Sequence, residues 1–247
     1  MTLDRRVLIT GGGSGLGADL ARGFAAEGAE VVVAGRRQGP LDAVAATAPN
    51  IRTHVADVTD EADVVRLFDA FETFDIVIAN AGVAASSRLT RTSLDLWREM
   101  LDVNLTGVFL TLREGLQRMR DRGWGRLITI ASMAGLKGYP YIGAYAASKH
   151  GAVGLTRALA QEVASSGITA NALCPGYLAT EMTERTITGI VESTGRNEAD
   201  AMEALLQFNP QHRLIEPSEV TAAALWLCGP GSESINGQAI AIAGGEL

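Results

Sequence analysis

The sequence predicts a single α/β domain built on a doubly wound parallel sheet of about seven strands, with helices on both faces. Three observations predict it. Short runs rich in Val, Ile and Ala alternate with longer segments of helical period along the whole chain. Those runs do not alternate strictly between apolar and polar, as suits strands covered on both faces. No Pro/Ser-rich linker, internal repeat or low-complexity tract divides the 247 residues, so the domain is taken as 1–247. Hydrophobic residues make up 47% of the chain and aromatics only 5%, which favours close helix-on-sheet packing over an aromatic-rich sandwich.

The expected strands are "RVLIT" (6–10), "EVVVAG" (30–35), "IRTHVAD" (51–57), "DIVIANAG" (75–82), "RLITIAS" (126–132), "ITANALCPG" (168–176) and "GQAIAIAGG" (237–245). Helical patterns fall near 15–27, 40–47, 60–71, 95–120, 143–165 and 217–228. Right-handed crossovers between such units give parallel pairing. The polar interval at about 178–215 breaks the rhythm and reads as one or two helices outside the sheet. An insertion after a strand's carboxyl end is where such folds hold ligands.

Several classes are excluded. The net charge is −7 and no Lys/Arg run is long enough for a nucleic-acid footprint. Cys174 and Cys228 form no disulfide framework and read as buried thiols. His54, His150 and His212 are scattered, so no metal site is expected. No apolar stretch reaches roughly 18 residues, the length of a membrane span. The first apolar run begins at Val7, which leaves no room for a signal peptide. The expectation is a soluble cytoplasmic protein.

"LITGGGSGLG" (8–17) follows the first strand and opens the first helix. Its glycines let backbone N–H groups approach a pyrophosphate, with the positive end of the helix dipole aimed at the anion. Gly11, Gly13, Ser14, Gly15, Leu16 and Gly17 are the candidate cradle. Gly13, Gly15 and Ala18 fit the G-x-G-x-x-A form of the dinucleotide fingerprint, whereas Thr10-Gly11, three residues, Gly15, one residue, Gly17 has a different spacing. At the end of the second strand, where an acid would bind a ribose 2′-hydroxyl, stand Gly35, Arg36 and Arg37. A guanidinium there favours a 2′-phosphate. The expected cofactor is therefore NADP(H), with NAD(H) as the alternative and Arg36 as the contact. Both arginines also read as solvated loop residues.

"YAASK" places Tyr145 and Lys149 four residues apart, on one face of a helix. An ammonium in reach of a phenol favours phenolate and lowers its pKa. Carbonyl reduction leaves charge on oxygen and needs a proton delivered there. Tyr145 is the candidate general acid in reduction and base in oxidation. Ser132, ending the fifth strand, is the candidate donor to the substrate oxygen. Asn104 lies in the 95–120 helix among apolar neighbours and reads otherwise as a satisfied buried amide.

Taken together, the Thr10–Gly17 spacing and the set Asn104, Ser132, Tyr145 and Lys149 resemble the short-chain dehydrogenase/reductase family, with its Rossmann-type fold. The resemblance spans nearly the whole chain. It implies that Lys149 holds the nicotinamide ribose hydroxyls and that Asn104 holds a water linked to Lys149. It implies that Asp57, or the next backbone amide at Val58, contacts adenine; unaided, Asp57 reads as a helix N-cap. It implies that Asn80, Ala81 and Gly82 support the sheet and line the cofactor ribose. It places Pro175, Gly176, Leu178 and Thr180 near the carboxamide, where Thr180 also reads as an N-cap. Family members are often homotetramers or homodimers built through the 95–120 and 143–165 helices.

The candidate substrate wall is Ser132, Met133, Tyr139, Tyr145, Tyr177 and Met182, with Leu136 and Tyr141; such a stripe reads equally as core. Arg185, Arg196 and Arg213 flank the insertion, either to meet a thioester's phosphates or as solvated charges. The sequence is also similar to family members that reduce 3-oxoacyl thioesters, bound to CoA or a carrier protein. The leading expectation is thus interconversion of a ketone and a secondary alcohol, a 3-oxoacyl thioester and its 3-hydroxyacyl form. The alternatives are a dehydrogenase of a free cyclic, aromatic or polyol alcohol, and an NADP(H)-sensing regulator without turnover.

Overall fold

Val7 and Ile9 of the first strand point to one face of a sheet and Leu8 to the other, and all three are completely buried. That arrangement sets the layers of the molecule. The computed structural model describes residues 3–71 and 73–246. Strands β1 (Arg6–Thr10), β2 (Glu30–Gly35), β3 (Ile51–Val55), β4 (Ile76–Ala79), β5 (Gly125–Ile130), β6 (Ile168–Pro175) and β7 (Ala239–Ile242) form one sheet in the order β3-β2-β1-β4-β5-β6-β7. Every pairing is parallel. The order reverses at β1, between β2 and β4, and opens a crevice at the strands' carboxyl ends.

Helices α1 (Gly15–Ala26), α2 (Gln38–Ala45) and α9 (Pro217–Cys228) cover one face. Their Leu20, Phe24, Leu41, Val220 and Leu227 pack with Val7 and Ile9. Helices α3 (Glu61–Asp69), α5 (Gly107–Met119) and α6 (Gly143–Val163) cover the other, where Leu67, Leu112 and Leu159 join Leu8, Val77 and Leu127. Each such fully buried side chain contributes roughly 1.5–3 kcal/mol.

The single helix expected at 95–120 is interrupted. Helix α4 (Leu94–Leu101) runs into a π-helical turn at Asp102–Thr106, and α5 follows. Asn104 lies in that turn rather than in regular helix. Its carboxamide is drawn out to the backbone of Val83, a long-range contact that local periodicity does not register. Single-turn π-bulges of this kind recur at functional sites.

The polar interval holds two helices, α7 (Glu181–Thr194) and α8 (Glu198–Leu206). They share a small core of Ile187, Ala201 and Leu205. The interval closes at its base through a parallel bridge between Leu178 and Ile215. No helix among the described residues is long and apolar enough to cross a membrane.

Candidate active site

Thr10, the last residue of β1, ties that strand to β4. Its hydroxyl accepts from the amides of Asn80 and Ala81, both at 3.1 Å. Asn80 returns the contact, its Nδ2 donating to the carbonyls of Thr10 (2.8 Å) and Gly11 (3.3 Å). Gly11 turns the chain with φ +65°, and a Cβ there would stand 2.8 Å from Ala81 Cα. At Gly17 a Cβ would stand 2.2 Å from the Gly11 carbonyl oxygen, so the loop closes on the helix only with glycine at this position. Helix α1 therefore opens at the crevice. Ser14 is exposed at the N-cap position and makes no side-chain bond to the helix, leaving first-turn amides for an anion.

Gly35 ends β2, and Arg36 and Arg37 follow it, both exposed. Neither has a carboxylate partner among the described residues. An uncapped helix N-terminus fits the diphosphate of a nicotinamide dinucleotide, and two exposed guanidinium groups stand just after β2. Asp57 is not the N-cap of α3. Its Oδ1 accepts from the amide and hydroxyl of Thr59, while Asp60 caps the helix by accepting from the Asp63 amide. Val58 is buried. Asn80, Ala81 and Gly82 follow β4 directly.

Gly82 lies beside two catalytic candidates: a Cβ on it would stand 3.2 Å from Asn104 Oδ1 and 3.6 Å from Lys149 Nζ. The Asn104 side chain is fully engaged. Its Oδ1 accepts from the Val83 amide at 2.9 Å, and its Nδ2 donates to the Val83 carbonyl (2.9 Å) and Ser148 Oγ (3.2 Å). Ser148 Oγ donates in turn to the Tyr145 carbonyl at 2.8 Å. Thus the buried Ser148 links the π-turn to the first turn of α6. Sequence reasoning passed it over; its one signal is a small polar residue directly before Lys149.

Ser132 ends the β5 excursion, and its Oγ accepts from the Ala134 amide at 3.1 Å, which leaves the hydroxyl proton free to be donated. Lys149 is 4% exposed. Its Nζ donates to the Ile130 carbonyl at 2.9 Å and stands 5.8 Å from the centre of the Tyr145 ring. Burial pulls the ammonium down to about 8. The Tyr145 phenol shifts the other way. Burial pushes the phenol above its usual value, and hydrogen bonding with Ser132 pulls it only partly back. Helix spacing brings the two groups together, and their depth adds a desolvation cost to both charged forms.

Pro175 ends β6, and the Gly176 amide donates to the Ile242 carbonyl at 3.0 Å. Leu178 makes the bridge to Ile215. Thr180 occupies the N-cap position of α7, yet its hydroxyl makes no bond to the helix. Its methyl group lies 3.5 Å from where a Cβ on Gly15 would be, so the exits of β1 and β6 face each other.

The substrate wall divides. Met133 is 2% exposed and Leu136 packs on Ala131, Val153 and Cys174, so both belong to packing beneath the turn. Tyr141 is 61% exposed and Met182 43% exposed. Tyr139 and Tyr177 are half-buried and share Phe208, with ring centres 5.4 and 6.4 Å from it. The Tyr139 hydroxyl donates to Glu246 Oε1 at 2.6 Å, and Lys137 Nζ is 3.1 Å from the same oxygen. Glu246 was not anticipated; the two glycines before it are the only local sign of a turned-back segment. Arg185 is paired with Glu181 and Arg213 with Glu219.

Both cysteines are buried, Cys174 raised to about 11 and Cys228 to about 12 by desolvation. Among the described residues no three His, Cys, Asp or Glu side chains are grouped to hold a metal ion. A cavity of about 670 Å³ opens elsewhere, lined by Arg5, Trp124 and Arg126 beside Cys228, away from these groups.

A family model described as short chain dehydrogenase matches residues 5–190. The chain is 34% identical to D-beta-hydroxybutyrate dehydrogenase of Rhizobium meliloti, over 98% of each chain. It is 35% identical to 3-oxoacyl-[acyl-carrier-protein] reductase of Synechocystis, over 97% of this chain and 96% of that one. Among solved structures, a variant actinorhodin polyketide ketoreductase with NADPH superposes with a TM-score of 0.93 at 32% identity, over 99% of this chain and 98% of that one.

Proposed function

The chain belongs to the short-chain dehydrogenase family and is an oxidoreductase; from that premise we propose that it interconverts a ketone and a secondary alcohol with NADP(H). The observation that carries this reading is the convergence of Ser132, Tyr145 and Lys149, with Lys149 beside Gly82, next to the Ala81 that the Gly11 turn abuts. The dinucleotide, when bound, supplies or accepts the hydride. The loop amides and Arg36 hold its phosphates, and Thr180 and Gly176 meet its nicotinamide end. Ser132 donates a hydrogen bond to the substrate oxygen as charge develops there. Tyr145, which burial keeps protonated at neutral pH, delivers the proton to that oxygen in reduction. Lys149 places a cation beside the phenol, and Asn104 with Ser148 holds the start of α6 in position.

The test is Tyr145→Phe. Dinucleotide binding is retained and turnover falls by about 10³-fold or more, in line with the removal of a general acid. Turnover close to wild type would remove Tyr145 from this role, and binding without turnover in the wild type would favour the regulator.

A 3-oxoacyl thioester is the leading substrate, supported by the likeness to the 3-oxoacyl-[acyl-carrier-protein] reductase. A second reading, a free ketone, is favoured by one observation. Arg185 and Arg213 are already neutralised by Glu181 and Glu219, which leaves Arg196 alone of the three to meet a thioester's phosphates. Comparing acetoacetyl-CoA with a panel of free ketones separates the two. Assembly as a homodimer or homotetramer through the 95–120 and 143–165 helices belongs to the same proposal. Phe109 there is 41% exposed, and sedimentation measures the state.

A further inference from the structure

The segment after β7 folds back and packs one acidic side chain against Tyr139, a candidate wall residue, and beside Gly176. Glu246 is 6% exposed although it belongs to no helix or strand. Its Oε1 is satisfied twice, by the Tyr139 hydroxyl at 2.6 Å and by Lys137 Nζ at 3.1 Å. Its Oε2 has no donor among the described residues and lies 3.7 Å from where a Cβ on Gly176 would be. Gly176 directly precedes Tyr177. Burial raises the Tyr177 phenol above its usual value, and the Glu246 carboxylate and the Tyr145 hydroxyl add to that. Phe208 joins the two phenols into one wall. A buried carboxylate with an oxygen that has no donor among the described residues thus stands on the wall formed by Tyr139, Phe208 and Tyr177.

Such a charge does not leave the site neutral to its ligands. The Lys137 side chain is 38% exposed and that of Glu246 is 5% exposed. Water screens the ammonium far more than the carboxylate, so the field reaching the cleft is net negative. A second anion brought beside Glu246 would be desolvated against a like charge.

We propose that Glu246 is a specificity-determining residue. It admits ketones that are neutral, or that offer a hydrogen-bond donor to its free oxygen, and rejects ketones bearing a carboxylate near the reacting carbonyl. This rests on the reading that a ketone is reduced beside Tyr145. Within that reading it narrows the substrate to esters, thioesters and uncharged cyclic or hydroxylated ketones, against oxo acids.

The experiment compares kcat/KM for matched pairs, each a neutral oxo ester and the oxo acid of the same skeleton, in wild type, Glu246→Gln and Lys137→Met. Affinity for NADPH and Tm are measured for each protein. Glu246→Gln keeps an acceptor for Tyr139 and removes the charge, and discrimination against the oxo acid falls at least tenfold. Lys137→Met removes the neutralising cation and leaves the carboxylate, and discrimination rises several-fold. The opposite signs separate charge from shape, and the second variant carries the test if the first does not fold. Ratios unchanged in both variants, with neutral ketones still reduced, overturn the role of Glu246. Failure of the wild type to reduce any ketone overturns instead the reading on which it rests.

Discussion

Replacing Lys149 by Met should make the protein more stable at neutral pH while removing its activity. The ammonium is 4% exposed and, among the described residues, has no carboxylate partner; its one hydrogen bond there is to the Ile130 carbonyl. Burial lowers it from 10.5 to about 8. Between these values the unfolded chain binds more protons than the folded one, so stability rises with pH across the interval and the penalty is complete below it. At roughly 1.4 kcal/mol per pH unit, the charged lysine costs about 3 kcal/mol at pH 7 and about 1 kcal/mol at pH 10. Loss of the bond to the Ile130 carbonyl takes back roughly 1 kcal/mol. The expected advantage of Lys149→Met is therefore about 2 kcal/mol at pH 7, and it vanishes by about pH 10. Urea unfolding of the dinucleotide-free protein at both pH values, followed by tryptophan fluorescence at fixed protein concentration, measures it. A variant less stable than wild type at pH 7, or a gap that stays the same at both pH values, would refute the assignment of a strained buried cation.

Two further outcomes follow from the site. Arg36→Ala raises the KM for NADPH by roughly 10–100-fold, the worth of a charge-assisted bond, and changes that for NADH by less than about threefold; equal effects on both would place Arg36 away from the 2′-phosphate. Burial raises the Tyr145 pKa, so the phenol holds its proton through neutral pH. Reduction is then flat with pH through neutrality, whereas alcohol oxidation climbs into the alkaline range as phenolate forms. An oxidation rate that is level from pH 6 to pH 9 would count against Tyr145 as the base.

The seven strands were legible because parallel strands covered on both faces must be continuous Val, Ile and Ala runs, and "VVVA" or "VLIT" has no other good reading. The i, i+4 pairing of Tyr145 and Lys149 was legible because helix geometry alone brings them to one face. What escaped was decided at long range. The apolar spacing of 95–120 passes unbroken through both α and π geometry, and only the pull of Val83 on Asn104 separates them. Asp57 and Asp60 are equal candidates for a cap by type and position; the fold gives the helix to Asp60. Glu246 lies 107 residues from its partner Tyr139, and no local pattern connects them.

The bridge between Leu178 and Ile215 brings the two ends of the α7–α8 block side by side before either helix begins. With the ends joined at a common stem, each doubling of the length that hangs from it costs only about 0.6 kcal/mol more in closure entropy. The block can thus lengthen, shorten or be exchanged wholesale while the strands beneath keep their register. A chain built this way can vary the outer turns of one cassette, provided Thr180 at its base keeps its place facing Gly15.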